Sequence, residues 1–230
     1  MKRTRPIVAI DGPAGAGKST VARMAADRLG YVLVDTGALY RTVALAASRA
    51  GIAYDDAERV GHLADALVEK DAIAFVRDAR GIRMTLSGED VSDSIRTPDI
   101  GMGASTVSAH PRVRAALLDM QRRAGRNGGV VLEGRDIGTV VFPDAEVKVF
   151  LTALAEIRAR RRHDELVAKG DSQVTLAETL ADVKKRDAQD EGRAVAPLRQ
   201  AEGALRVDSS EMSVEDAVEA IAKLAREAFR

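Results

Sequence analysis

Cysteine is absent from this 230-residue chain, and so is tryptophan. The first absence excludes disulfides, thiolate metal sites and cysteine nucleophiles together. The second, with only four Phe and three Tyr, leaves few rings on which single-stranded bases could stack. There is no excess of either charge, with 35 basic against 35 acidic side chains, so neither a general polyanion partner nor nucleic acid is expected. His62, His110 and His163 lack partners at metal-ligand spacing and read as surface or loop side chains. No stretch approaches the roughly 18 uninterrupted apolar residues of a membrane span. The basic start gives way to an apolar run, Ile7 to Ile10, that Asp11 stops far short of a signal segment. A protein that stays in the cytoplasm, with no membrane partner, is therefore expected. The remaining make-up, 46% hydrophobic and 30% charged, suits one globular domain with a substantial core.

Hydrophobic patterning then sets the architecture. Ile7–Ile10 is a short apolar strand, followed by the glycine-rich run to Gly17 and a helix-compatible stretch from Lys18 to Leu29. Tyr31–Val34 reads as a second strand, with Asp35-Thr-Gly37 as a loop and a helix from Ala38 to about Arg49. Strands Val130–Leu132, Val147–Leu151 and Ala204–Val207 complete a set of five. Continuously apolar strands alternating with helices predict a parallel sheet flanked by helices. Between Ala72 and Ser94 the rhythm changes to a small antiparallel excursion with turn residues from Asp78 to Gly81. A helix is expected over Pro111 to Ala124, and a last one capped by Ser213 with Asp216, whose stripe Val218, Ile221 and Ala225 faces the core. Glu156 to Arg193 reads as charged, exposed helices around a loop, and its Arg158–Arg162 run taken alone is a solvated face.

Gly12-Pro13-Ala14-Gly15-Ala16-Gly17-Lys18-Ser19 fits G-x-x-x-x-G-K-[ST] and sits between an apolar strand and a helix, as that motif must. The glycines let backbone N–H groups turn inward, and the helix start adds the positive end of its dipole, so a polyphosphate is held without a side-chain clash. Lys18 supplies charge for the β and γ phosphates, Ser19 a hydroxyl for Mg²⁺, and Thr20 support for the α-phosphate. The Asn-Lys-x-Asp run of a guanine-reading GTPase is missing. Ligands of open α/β sheets sit beyond the carboxyl ends of the strands, so Thr36, Arg41, Glu133, Arg135 and Asp136 are expected to face a cleft. Arginines that can gather around transferring phosphates point to a small-molecule kinase.

Six segments carry a resemblance to the bacterial cytidylate kinase family over about residues 6 to 226. They are Ile10–Ser19, Asp35–Arg41, Gly88–Ser92, Pro111–Arg114, Glu133–Asp144 and Arg193–Pro197, and only the first is generic to P-loop proteins. The resemblance implies a P-loop NTPase fold: a five-stranded parallel sheet flanked by helices, with an inserted monophosphate-binding region that contains a small antiparallel sheet, and a helical lid. It implies one domain with its core in 1–35, 106–157 and 194–230, the monophosphate region in 36–105 and the lid in 158–193. The implied reaction passes the γ-phosphate of ATP to CMP or dCMP. Arg41, Arg135 and Arg193 would hold the acceptor phosphate and Asp190 the sugar. Ser105, Arg114 and Asp136 would read cytosine, whose amino group suits a carboxylate and whose N3 and O2 suit an arginine. Arg158, Arg162 and Arg186 resemble the family's mobile lid arginines. Thr36 stands where many relatives have Ser, and Glu133 where some have Asp. Glu133, at the end of a core strand, is the candidate acid for orienting Mg²⁺-bound water.

In-line transfer through a loose transition state needs alignment and charge stabilisation by Lys18, Mg²⁺ and the arginines rather than a general base. Water must be excluded, so substrate-driven closure is expected. A kinase of UMP, AMP or a small hydroxy acid would differ at the base-reading trio. A nucleotide-sensing module would bind ATP without acceptor-dependent release of ADP. A monomer is expected.

Overall fold

β1 (Ile7–Asp11) is buried along its whole length in the computed structural model, which describes residues 3–78, 81–168, 170 and 173–228. A strand covered on both faces has no need of polar alternation, which explains the unbroken apolar run. The chain leaves β1 through Gly12–Gly17 and enters α1 (Lys18–Leu29), whose Val21, Ala22, Ala25 and Ala26 form one buried face. Gly30, left-handed at φ 63°, ends α1 and returns its N–H to the Ala26 and Asp27 carbonyls. β2 (Val32–Asp35) runs directly into α2 (Thr36–Arg49). The loop expected at Asp35-Thr-Gly37 does not exist, because the Asp35 carboxylate caps the helix by accepting from the Ala38 N–H.

Next come α3 (Ala57–Glu69), the three-stranded antiparallel sheet β3 (Ile73–Asp78), β4 (Gly81–Leu86) and β5 (Glu89–Asp90), then α4 (Pro98–Val107) and α5 (Pro111–Gly125). The antiparallel excursion thus falls where the change of rhythm places it; Ala79 and Arg80 of its expected turn lie outside the described residues. Helices α3 and α4 were not read from the sequence, although Asp56 and Thr97 cap them and Pro98 opens α4.

The chain then returns to the parallel sheet with β6 (Val130–Gly134), a five-residue π-helical segment Ile137–Val141, and β7 (Val147–Thr152). The charged region forms α6 (Ala155–Ala168) and α7 (Leu176–Glu191), and β8 (Leu205–Asp208) and α8 (Val214–Glu227) close the chain. Ser213 caps α8 through the Asp216 N–H as expected, and Val218, Ile221 and Ala225 pack against Val21 and Ala25 of α1. Among the described residues, no helix is long and apolar enough to cross a membrane.

The five parallel strands lie in the order β2-β6-β1-β7-β8. The connection after β1 crosses one way, over β6, and the connection after β6 crosses the other way, over β1. The order therefore reverses at the carboxyl end of β1, where open α/β sheets bind their ligands. Residues Met1–Val34 and Gly125–Arg230 form one unit, and Asp35–Ala124 a second. The second unit has its own core, in which Leu39, Val43 and Ala47 of α2 join Ile73, Met84, Val113 and Leu117. Residues 106–124 belong to this second unit.

Candidate active site

The phosphate-loop sequence occupies the switch point. Gly12 takes φ 151°, and a Cβ there would stand 1.9 Å from the Leu151 carbonyl oxygen of β7, so no larger residue fits. Side-chain oxygens cap α2, α3, α4, α7 and α8, but Gly17 begins α1 without one. The first N–H groups of α1 therefore face the loop, which is the arrangement an anion requires. Lys18 is buried and its Nζ donates to the Pro13 carbonyl at 2.7 Å, arching over the loop. Ser19 and Thr20 are exposed at the same helix start, and the Ser19 hydroxyl donates to Glu133 Oε2 at 2.8 Å.

Glu133 comes from β6, which pairs with β1 so that Ile10 lies opposite Glu133 and Asp11 opposite Gly134. That register carries Arg135 and Asp136, the next two residues, beside the loop. Arg135 Nε donates to Asp190 Oδ2 of α7 at 2.7 Å. Arg193 donates from Nε to the Asp190 carbonyl at 3.3 Å and brings Nη2 to 3.8 Å from Oδ1. Burial would raise the Asp190 pKa, but Arg135, Arg193 and Arg186 together hold it below the ordinary carboxylate range. Lys18 shares this environment. Burial and then the Arg135 charge push its pKa down, against the opposing pull of Glu133, Asp190 and Asp11. An anion bound beside Lys18 and Arg135 would favour the charged form of Lys18 by direct attraction.

The arginines expected in a lid are not alike. Arg158, expected on a solvated face, is only 5% exposed. Its guanidinium forks onto Asp187 of α7 at 2.9 and 2.6 Å, and also donates to the carbonyls of Ala153 and, within the phosphate loop, Ala14. A carboxylate and two carbonyls satisfy the donors that water would otherwise take. Arg162 behaves as the charge run implied, half-buried and paired with Glu165 on its own helix. Arg161 reads from the sequence only as part of a solvated run, yet it donates to the Ser209 hydroxyl at 3.1 Å and carbonyl at 2.6 Å, and Ser209 in turn donates to the loop carbonyl of Ala16 at 3.0 Å. No local signal marks Arg161 or Asp187, because their partners lie 48 and 29 residues away.

The second unit holds Thr36, Arg41, Ser105 and Arg114. Thr36 is buried as the first residue of α2. Arg41 donates to Asp35 at 2.5 Å, and Gly37 leaves room for that pair, since a Cβ there would stand 3.0 Å from Arg41 Nη1. Arg114 of α5 donates to the Ser108 carbonyl at 3.1 Å and places its guanidinium 5.4 Å from the ring centre of Tyr40. The Ser108 hydroxyl donates to the Ser105 carbonyl at 2.9 Å, so Ser105, Arg114 and Tyr40 belong to one group. Tyr40 went unassigned, although it sits inside the segment Asp35–Arg41.

Strand order, loop sequence and the arginines beyond β6 define the class: this is a P-loop kinase. The family model described as cytidylate kinase matches residues 8–227, and the chain belongs to that family. Cytidylate kinase of Geobacter sp. (strain M21) is 56% identical over 221 residues, which cover 96% of this chain and 93% of that protein. That of Geobacter sulfurreducens is 56% identical over 225 residues, covering 97% and 94%. An uncharacterized protein from Eubacterium ventriosum ATCC 27560 shares the fold, with a TM-score of 0.54 at 12% identity over 97% of this chain and 99% of that one.

Proposed function

We propose that this chain is a nucleoside monophosphate kinase that transfers the γ-phosphate of ATP to CMP or dCMP, giving ADP and CDP or dCDP. The observation that carries the reading is the convergence of Arg135 and Arg193 on Asp190, beside a buried Lys18 and a phosphate loop at the sheet's switch point. Backbone amides of Gly12–Thr20 cradle the triphosphate, and Lys18 neutralises its outer phosphates. Arg41, Arg135 and Arg193 bind the acceptor phosphate. Asp190 orients Arg135 and takes the sugar. Ser105, Arg114 and Asp136 read the base, and a uracil carbonyl would be repelled by Asp136.

The oxygens of Ser19 and Glu133 lie 2.8 Å apart at the loop, and a hydroxyl beside a carboxylate is the hard donor pair that Mg²⁺ prefers. Ser19 would hold the ion, with Glu133 acting directly or through water; when bound, the ion would supply positive charge to offset that of the transferring phosphate. An acceptor phosphate is already an adequate nucleophile, so the side chains need only align it and spread the developing charge. Segment 158–193 acts as the lid through Arg158, Arg162 and Arg186 and keeps water from the γ-phosphate. Region 36–105 receives the monophosphate. The enzyme works as a cytoplasmic monomer, and sizing in solution tests the latter.

The deciding experiment measures ADP formed from Mg·ATP with CMP, dCMP, UMP and AMP offered in turn. Cytosine nucleotides are expected to give the fastest turnover. ADP release that is indifferent to the acceptor would overturn the reading.

A further inference from the structure

Asp11 ends β1 and immediately precedes the phosphate loop, yet the transfer described above gives it no task. Its side chain is buried, and its two oxygens are divided between two backbone donors: Oδ1 accepts from the Ile137 N–H and Oδ2 from the Gly138 N–H, both at 2.8 Å. Those amides open the π-helical segment that follows Arg135 and Asp136. Asp136, at the head of the segment, makes no side-chain cap. A residue from a neighbouring strand, 126 positions away, therefore caps it.

Burial makes the Asp11 charge costly and raises its pKa to about 6, with the two amides and Lys18 opposing the rise and Asp136 adding to it. The fit is close: a Cβ on Gly138 would stand 3.4 Å from Asp11 Oδ2 and 3.2 Å from the Ala201 Cβ. Asp11 is thus one covalent bond from the first glycine of the phosphate loop and one hydrogen bond from the backbone just beyond Arg135.

We propose that Asp11 is a positioning residue that fixes the Arg135–Asp136 turn against the phosphate loop, so that the arginine meets the transferring phosphate in line with the donor. The proposal rests on the role assigned to Arg135 above. A misplacement of about 1 Å at such a group costs on the order of 100-fold in rate. Asp11→Asn turns an amide group toward one of the two N–H donors and frees one end of the turn. Its kcat is expected to fall by about 10- to 100-fold while the KM for ATP stays within about threefold, because the loop amides are untouched. In an Arg135→Ala background the same substitution should cost less than about threefold, the non-additivity of residues that act as a unit. Gly138→Ala keeps the carboxylate and both donors, but its Cβ would stand 3.2 Å from the Ala201 Cβ, so the turn must shift slightly against Asp11 and kcat should fall in the same direction by less.

The kinetics are read with whichever monophosphate the wild type turns over fastest, so an error about the acceptor stays separate from an error about Asp11. The proposal is overturned if Asp11→Asn keeps kcat within about twofold of wild type, or if its loss persists undiminished without Arg135, as a role through Lys18 or through stability alone would require. Should Asp11→Asn not fold, Gly138→Ala decides: an unchanged kcat, or a change confined to the KM for ATP, overturns it.

Discussion

The two units place their charges differently. In the sheet unit, Asp11, Lys18, Glu133, Asp136, Arg158 and Asp190 are all buried. In the unit of residues 35–124, Arg114 is the only charged side chain among the described residues to be buried to that degree, while pairs such as Arg49–Glu89 and Arg83–Asp90 lie at the surface. An interior charge survives only where opposite charges or backbone dipoles surround it. Strand ends and the start of α1 supply such surroundings in the sheet unit. The sheet unit thus keeps its buried charges around the phosphate loop and the strand ends, whereas the other unit is an apolar core with hydroxyls and a single guanidinium at its edge.

Lys18→Ala breaks the first half of that contrast most severely. It should reduce kcat by about a thousandfold or more with every monophosphate alike, checked by steady-state rates on a panel of acceptors, since the charge it removes serves the donor phosphates. Arg114→Ala sharpens the other half. It should raise the KM for CMP by about 10- to 100-fold and narrow the preference for CMP over UMP, with a smaller change in kcat, as measured by kcat/KM for the two acceptors.

The smallest effect concerns surface charge. The Ser92 hydroxyl and N–H, together with Arg83, hold the Asp90 pKa at about 2, below its ordinary 3.8. A depressed carboxylate adds stability above its unfolded pKa and loses it as pH falls through the folded one. Asp90→Asn should therefore lower Tm at neutral pH by about a few degrees at most, and the gap from wild type should close as pH drops from about 4 to 2. A gap that is constant with pH would mean that packing, and not charge, stabilises this corner.

What could be read from sequence follows the range of the forces involved. The loop Gly12–Ser19 and its strand and helix are consecutive, so a local pattern carries both their structure and their chemistry. β1, β2 and β6 were visible because their apolar runs are bounded by proline, glycine or charge, whereas Lys148 and Arg206 interrupt β7 and β8. Asp35 was misread as the start of a loop, since only the bond to Ala38 reveals it as a helix cap. Arg158 sits in a run of charges that reads as solvated, and its burial depends on Asp187 and on Ala14, 144 residues away. Asp11 looked like the end of a strand, because its partners are main-chain amides, which leave no mark on composition. In the second unit, the residues proposed to read the base were accessible through family resemblance alone, for hydroxyls and a lone arginine carry no spacing signature.

The guanidinium of Arg158 serves two masters, with one set of donors on the loop carbonyl of Ala14 and another on Asp187 of α7. A change at position 187 would therefore be felt at the loop, because one buried side chain carries both bonds.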